Sequence, residues 1–315
     1  MSIQTRPMRE GDLDAADRVF RVAFGTFLGV PDPSHFMGDA GFVKTRFKAD
    51  PSAAFVAESD GDVVGSNLAT NWGSVGFFGP LTVRPDLWDK GISRQLMEPV
   101  MQKFSQWKHT HLGLFTFSHS PKHLRLYQRY DFWPRYLTAI MVRPIQGGKA
   151  PLAPPPWKFS GIPQGERRAV LDECRAVTGA LYDGLDLSVE VNAIAQQDLG
   201  DTVLLWNGSR LEGFAACHIG PGTEAGSGGC YIKFAAIRPG ADAPAHYDRL
   251  LDACEALGSE KSCRVVIAGA NMARSGQYRA MLAKGFRTQM LGVAMEKGNA
   301  LGYNRPDVFI VDDWR

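Results

Sequence analysis

The sequence predicts an α/β protein with a mixed sheet, built from one βααβββαβαβ unit used twice. Three observations predict it. The chain has 315 residues, room for two domains at roughly 150 residues each. Its middle, Gln146-Gly147-Gly148-Lys149-Ala150-Pro151-Leu152-Ala153-Pro154-Pro155-Pro156, holds glycines and prolines that sustain neither a helix nor a central strand. The segments on either side then match when slid past one another. Val83-Arg84-Pro85 falls on Ile237-Arg238-Pro239 and Asp131-Phe132 on Gly285-Phe286, where 237 − 83 and 285 − 131 both equal 154. A constant offset means no net insertion between those points. Upstream, Asp60-Gly61 matches Asn207-Gly208 with an offset of 147, so the halves differ by a few residues in an intervening loop. The expected organisation is a first domain over 1–145, a linker over 146–157 and a second domain over 158–315.

Periodicity places the elements. Ile3 to Met8 reads as a short strand, and Asp12 as the N-cap of a helix with Leu13, Ala16, Val19, Phe20 and Ala23 on one face. A second helix covers Gly41 to Lys48. Ala53 to Glu58 and Val63 to Thr70 are apolar runs joined at Asp60-Gly61, a dipeptide suited to the positive φ angles of a tight hairpin. Val75 to Val83 is a further strand, Ser93 to Trp107 a helix and His111 to Ser118 a strand. Pro121 opens a helix to Arg129 at a tolerated first-turn position, and Phe132 to Val142 closes the unit. The second half offers a helix over Glu166 to Leu181, strands over Thr202 to Trp206, Arg210 to His218 and Cys230 to Ile237, and a helix over Ala243 to Leu257. It ends with a strand over Cys263 to Ala268, a helix over Met272 to Lys284 and a strand over Phe286 to Met295.

Composition excludes several function classes. Hydrophobic residues at 44% and charged residues at 22% are globular values, so the chain buries substantial cores without staples. A net charge of +2 is too small for the field of a general nucleic-acid binder, so an anion must be held locally. No apolar run approaches the roughly 20 residues of a membrane helix, and the opening residues lack a signal-peptide core. A soluble cytoplasmic protein is expected. Five cysteines without Cys-x-x-Cys spacing (Cys174, Cys217, Cys230, Cys254, Cys263) read as reduced, mostly buried thiols.

The strand ending at Val83-Arg84-Pro85 leads through a short loop into a helix, and such a junction binds phosphate. In Asp86-Leu87-Trp88-Asp89-Lys90-Gly91-Ile92-Ser93-Arg94, Gly91 admits an anion close to the backbone, and the free amides and positive helix end attract it. Lys90 and Arg94 add charge.

These residues resemble the GNAT superfamily of N-acetyltransferases, whose signature is Val-x-Pro followed by Arg/Gln-x-x-Gly-x-Gly/Ala at a helix start. The match runs through Val83-Arg84-Pro85 and Trp88-Asp89-Lys90-Gly91-Ile92-Ser93, and extends to Leu126-Tyr127-Gln128-Arg129-Tyr130-Asp131-Phe132, similar to the family's Leu-Tyr-x-x-x-Gly-Phe. It covers nearly the whole chain as a tandem pair. Trp88 departs from Arg or Gln, and Ser93 from Gly or Ala. The resemblance implies an acetyl-CoA cosubstrate beside the Val75 to Val83 strand. Backbone groups of Leu81, Thr82 and Val83 would bond its pantetheine amides, and amides of Trp88, Asp89, Lys90, Gly91, Ile92, Ser93 and Arg94 its pyrophosphate. It also implies direct attack by an amine, an oxyanion held by backbone N–H groups and protonation of the leaving thiolate by Tyr127.

Other positions read more plainly. The strand carries no carboxylate or histidine to serve as base. His119 and His123 reach the cleft only through water and are read as helix-end caps or surface groups. Trp72, Phe77 and Phe78 either line an acceptor pocket or belong to the core. Acceptor choice falls to the early helices and loops, roughly Phe24 to Lys48, where Asp32, His35 and Phe36 fit many substrates.

In the second half the offset puts Ala245 opposite Gly91, Asp248 opposite Arg94 and Met281 opposite Tyr127. Asp242 and Asp248 repel phosphate and Pro244 removes an amide. The second half is therefore read as a degenerate copy that completes the acceptor cleft or replaces a dimer partner. Gly220-Pro221-Gly222-Thr223-Glu224-Ala225 spells a dinucleotide pattern without a following helix and reads as a flexible hairpin loop. No phosphate-binding Gly-x-x-x-x-Gly-Lys motif and no zinc motif is present. The expectation is an N-acetyltransferase acting on a primary amine of a small molecule or peptide, monomeric or dimeric. The alternatives are a non-catalytic acyl-CoA-binding protein and an enzyme using a bulkier acyl donor.

Overall fold

A computed structural model describes residues 3–146 and 155–315; most of the predicted linker, 147–154, lies outside the described residues. The first half contains β1 (Ile3–Pro7), α1 (Leu13–Phe27), α2 (Phe42–Ala49), β2 (Ala54–Ser59), β3 (Asp62–Trp72), β4 (Val75–Phe78), β5 (Thr82–Val83), α3 (Ile92–Trp107), β6 (His111–Thr116), α4 (Pro121–Gln128) and β7 (Phe132–Pro144). The second contains β8 (Trp157–Lys158), α5 (Arg167–Gly179), α6 (Ser188–Gln197), β9 (Gly200–Asn207), β10 (Arg210–Gly220), β11 (Gly226–Ile237), α7 (Ala243–Glu260), β12 (Val265–Asn271), α8 (Ser275–Ala283), β13 (Arg287–Lys297) and β14 (Ile310–Val311).

Local chemistry accounts for most boundaries. The face of α1 read from spacing is the one that is buried. Asp12 precedes that helix, but its carboxylate bonds the Arg6 guanidinium at 2.7 Å and the Arg9 N–H at 2.7 Å rather than capping it. Asp60 and Gly61 turn the β2–β3 hairpin at φ of +52° and +90°. The strand expected over Val75 to Val83 is two strands. Between them Gly79 takes φ +144° and Pro80 has no N–H to offer a ladder. The short β8, α6 and β14 went unassigned in the sequence. In α6 the apolar residues Val189, Val191, Ala193, Ile194 and Ala195 leave no sharp polar face, and Val191 and Ile194 are buried.

All main strands form one sheet in the order β1-β2-β3-β4-β6-β13-β7-β12-β11-β10-β9-β8. The final strand of each repeat has crossed to the other. β13 lies against β6 of the first half, and β7 lies against β12 of the second. The pairings obey the repeat offset. Val293, Ala294, Met295 and Glu296 oppose Thr116, Phe115, Leu114 and Gly113. Ala139, Ile140, Met141 and Val142, each lower by 154, oppose Ala270, Gly269, Ala268 and Ile267, each higher by 154. The parallel pairs agree too: Val75, Gly76 and Phe77 with His111, Leu112 and Gly113 become Gly229, Cys230 and Tyr231 with Val265, Val266 and Ile267. A pseudo-twofold axis thus passes between β7 and β13.

The halves share a core. Trp72, Val75 and Phe77 pack with Phe159, Phe214, Phe234 and Trp314 from the second half, so Trp72 and Phe77 are core residues and not pocket lining. Gly113 admits Trp314: a Cβ there would stand 2.1 Å from the indole ring. All five cysteines are buried and free. Among the described residues no helix is long and apolar enough to cross a membrane.

One buried pair lies on the exchanged seam. His111 Nε2 of β6 stands 3.6 Å from Glu296 Oε2 of β13, both side chains fully enclosed. Burial lowers His111 to about 4, with Asp312 opposing and Arg135 assisting, and raises Glu296 to about 8 against Arg135, the bond from Asn304 and Arg274, with Asp312 assisting. Both groups are therefore neutral near pH 7, and the contact is not an ion pair. Because the folded Glu296 keeps its proton above its unfolded pKa, its stability contribution is complete below about pH 4.5 and is lost as pH rises through about 8. Glu296→Gln should match the parent at pH 5 and exceed it by a few kcal/mol at pH 8.5 in urea unfolding, a pKa unit being worth about 1.4 kcal/mol. Equal midpoints at both pH values contradict this account. The exchange makes a second prediction. Residues 1–145 expressed alone leave β6 and β7 without β13, and light scattering should show a dimer in which β7 of each copy takes that place. A monomer with a single cooperative transition is the contrary result.

Candidate functional site

A wedge opens in the first half where two parallel strands part company. β4 and β6 pair as far as Phe77 and Gly113. Beyond that point the first edge stays with β3, held by Gly79 N–H to Leu68 O at 2.8 Å and Arg84 N–H to Val64 O at 2.8 Å. The second edge leaves with β13 through Leu114, Phe115 and Thr116. Residues 79–83 and 114–117 therefore face each other without a ladder between them. The other edge of β6 is taken by β13, so one wall of this wedge is anchored to the second half.

The loop above it is shaped for an anion. Pro85–Leu87 forms a single 3-10 turn that ties up the Trp88 N–H on Pro85 O at 3.2 Å, removing that amide from the expected phosphate set. Asp89 at φ +65° and Gly91 at φ +80° then turn the chain so that α3 begins at Ile92. The Arg94 N–H bonds Gly91 O at 3.1 Å and so leaves the expected phosphate set as well; the other leading amides of a helix have no intrahelical partner, and left-handed residues before them gather N–H groups on one side. Lys90 and Arg94 are exposed beside the loop. A Cβ on Gly91 would stand 3.0 Å from Arg94 Nη2 in a backbone region that favours glycine. Ile92 is buried and Ser93 half-buried.

Trp88 has a role that its position in the motif does not suggest. Its Nε1 donates to Val83 O at 2.7 Å, so that carbonyl, expected to face pantetheine, is already engaged. Lys122 Nζ lies 5.5 Å from the Trp88 ring and 2.7 Å from Asp89, bridging the loop to α4. The Asp89–Lys122 pair is exposed and holds the bridge only weakly. Thr82 is buried with its hydroxyl 2.9 Å from that of Ser66, and Leu81 packs at the edge of the core below.

Tyr127 enters the wedge from α4. Its ring meets Phe78 edge-on at 5.7 Å, and its neighbours include Leu114 and Phe132. Burial raises its pKa above the ordinary phenol value, opposed by the Thr116 side chain, so the phenol keeps its proton at neutral pH. Phe78 is thus core and wedge floor at once. His119 is exposed, as expected, whereas His123 is neither cap nor surface. Ser120 caps α4 by accepting the His123 N–H at 3.4 Å, and the His123 ring packs 4.8 Å from Phe27 of α1. Burial, then Lys122 and His119, lower the His123 pKa and leave it neutral. Asp32 and His35 pair with each other at 2.7 Å on the surface, and Phe36 stacks on Phe24.

The opposite half has no comparable loop. Arg238 turns inward onto the Leu211 and Ala176 carbonyls, Asp248 pairs with Lys284 at 2.9 Å, and Pro244 lies in the first turn of α7. Met281, opposite Tyr127 in the repeat, is buried.

A charge network that the sequence analysis does not assign lies beneath the wedge. Arg46 of α2 donates to Gly79 O at 2.7 Å and pairs with Glu224 at 2.8 Å. Lys233 of β11 bonds Glu224 at 2.9 Å and Glu190 of α6 at 3.1 Å, and His218 stands 3.2 Å from Glu190. Arg46 also bonds the Arg315 carbonyl. Burial alone would raise Glu190, but Lys233 and His218 outweigh it and hold it at about 2; Arg46 and Lys233 likewise overcome burial at Glu224. Glu224 belongs to the glycine-rich stretch read as a flexible loop. That stretch is instead clamped: Gly41 N–H bonds Thr223 O at 2.9 Å, and Gly222 N–H bonds Asp39 O at 2.9 Å. It lies in the hairpin where the repeat lengthens, since the paired Gly65 and Gly213 differ by 148 and Val75 and Gly229 by 154. A lysine inside the apolar run from Cys230 to Ile237 was the one available signal. Arg46→Met should cost about 3–5 kcal/mol in denaturant unfolding by leaving an unbalanced buried carboxylate. A loss below about 1 kcal/mol would show that the network is solvated.

Residues 18–132 match the family model described as the acetyltransferase (GNAT) family. Nearly the whole chain follows solved structures at low identity. A Pyrococcus horikoshii protein assigned as an acetyltransferase has 14% identity and a TM-score of 0.67 over 98% of this chain and 93% of its own. A GCN5-related N-acetyltransferase from Sphaerobacter thermophilus has 14% identity and a TM-score of 0.60 over 94% and 95%. One from Anabaena variabilis has 12% identity and a TM-score of 0.54 over 94% of this chain and 72% of its own. No curated protein matches the sequence significantly.

Proposed function

We propose that this chain is a tandem GNAT-family acetyltransferase, its family-model match lying in the first half and the shared fold in both, and that it transfers an acetyl group from acetyl-CoA to a primary amine in the first-half wedge. The observation that carries this reading is the meeting, at one splay, of an unpaired strand edge at 79–83, a glycine-capped helix start at Gly91 and a buried protonated tyrosine. The residues fit a nucleotide thioester. The Gly91 loop and α3 would hold the phosphates, with Lys90 and Arg94 as flanking charge, and the edge beside Leu81 would align the pantetheine arm. Trp88 leaves one fewer carbonyl for that arm, because Val83 O is taken.

Acetyl-CoA supplies an acyl carbon activated by a thiolate leaving group. The chain's part is to exclude water, position that carbon and manage protons. As the amine nitrogen bonds the carbonyl carbon and the carbon–sulfur bond breaks, Tyr127 Oη delivers a proton to sulfur, and the amine's own proton leaves to solvent or to neutral His123 through water. A phenol raised above its normal pKa is a weak acid in the ground state. It delivers its proton only as basic thiolate character develops, which confines the transfer to productive events.

Thiol release with acetyl-CoA and a panel of primary amines tests the reading. Tyr127→Phe should lower kcat by ~10²-fold with little change in acetyl-CoA affinity. A parent-like rate removes Tyr127 from the proton-donor role. Tight acetyl-CoA binding with no turnover on any amine would favour a non-catalytic binding protein, a reading to which the Trp88 contact with Val83 O gives some support.

A further inference from the structure

The second half has its own wedge between β11 and β12, and the chain fills it. The parallel pairing of β11 with β12 runs from Gly229 to Ile232, after which β11 continues beside β14. Ala235 opposes Val311, Ala236 opposes Ile310, and the Ile237 N–H bonds Phe309 O at 3.0 Å. Lowered by 154, Ala235, Ala236 and Ile237 become Leu81, Thr82 and Val83, the edge proposed for pantetheine in the first half. The same backbone positions thus face a peptide strand in one wedge and no strand in the other, where only Val83 O is engaged, by the Trp88 indole.

The side chains are adapted to that strand. Phe309 and Val311 pack into the core containing Tyr247 and Met281, the counterpart of Tyr127. Asp312 pairs with the fully buried Arg274 at 2.6 Å and accepts the Tyr303 hydroxyl at 2.5 Å. Asp313 accepts the Tyr231 hydroxyl at 3.0 Å. Gly269 of β12 makes room: a Cβ there would stand 2.3 Å from Asp313 Cβ, whereas the first half has Phe115 at the equivalent position.

We infer that the second wedge is a strand-binding site whose ligand is the chain's own Phe309–Asp313, leaving one acyl-CoA site per chain, in the first half. The stoichiometry rests on the acyl-CoA reading above; the seating of the strand does not. Hydrogen exchange of the full chain, with and without acetyl-CoA, combined with calorimetric titration of acetyl-CoA, separates the two. The expected result is one equivalent bound, slower exchange at Leu81–Val83, and core-like protection at Ala235–Ile237 and Phe309–Val311 that acetyl-CoA leaves unchanged. Two equivalents, or exchange at Phe309–Val311 that quickens when acetyl-CoA binds, overturns the inference. No binding with Phe309–Val311 still protected defeats the acyl-CoA reading while upholding the seated strand; solvent-like exchange at Phe309–Val311 in the parent defeats the seated strand. Gly269→Val should raise exchange at Phe309–Asp313 at least tenfold, and unchanged protection in a folded variant counts against the site.

Discussion

The antiparallel pairing of β7 with β13 sets one strand from each repeat between β6 and β12, and the hydrogen bonds on either side of that pair belong to the other half. Burying the pair inside the sheet satisfies four strand edges at once, which no arrangement of two separate sheets would do without exposing them. In each wedge the wall formed by β6 or β12 is therefore paired on its other edge with a strand from the far side of the molecule.

Symmetry at the backbone supports asymmetry in the side chains. One wedge keeps a left-handed glycine before its helix, two exposed cations and a buried phenol. In the other those positions carry alanine, proline, aspartate and methionine, and a strand of the chain lies along the edge. Between them the Arg46 network ties the Gly79 carbonyl of one half to Lys233 of the other, and Lys233 is itself the repeat mate of Gly79 at an offset of 154. The second half thus contributes rigidity exactly where the first needs a fixed backbone, at the base of its wedge.

Much of this was legible in the amino acids because it is local. The repeat, the hairpin at Asp60-Gly61, the glycine before α3 and the tyrosine of α4 follow from spacing and backbone preference. What escaped was the choice of partner. Alternation marks Phe132 to Pro144 as a strand but carries no information on which edge it joins. Likewise Trp88 looks like a lost phosphate ligand until Val83 O is seen within its reach. The 303–315 segment follows the last repeated element, so nothing in the first half announces it, and Ile310-Val311 is too short a run to assert a strand by itself. Arg46 and Glu224 are 178 residues apart, and their meeting depends on the whole sheet being assembled.

The crossing of β7 and β13 also governs how the gene's two copies can change length. Each of these strands pairs on two sides, in unbroken register with β12 or β6 and with one bulge apiece, at Arg135 and Gln289, where they meet each other; one residue added to β7 within Thr138–Pro144 would turn its side chains over against β12. A compensating addition would be needed a full repeat away. From Val75 through Glu296 the paired residues keep a spacing of 154, while the permitted difference of six residues falls earlier, in a hairpin that no exchanged strand touches. The two repeats are in this way tied in length over the stretch that joins them.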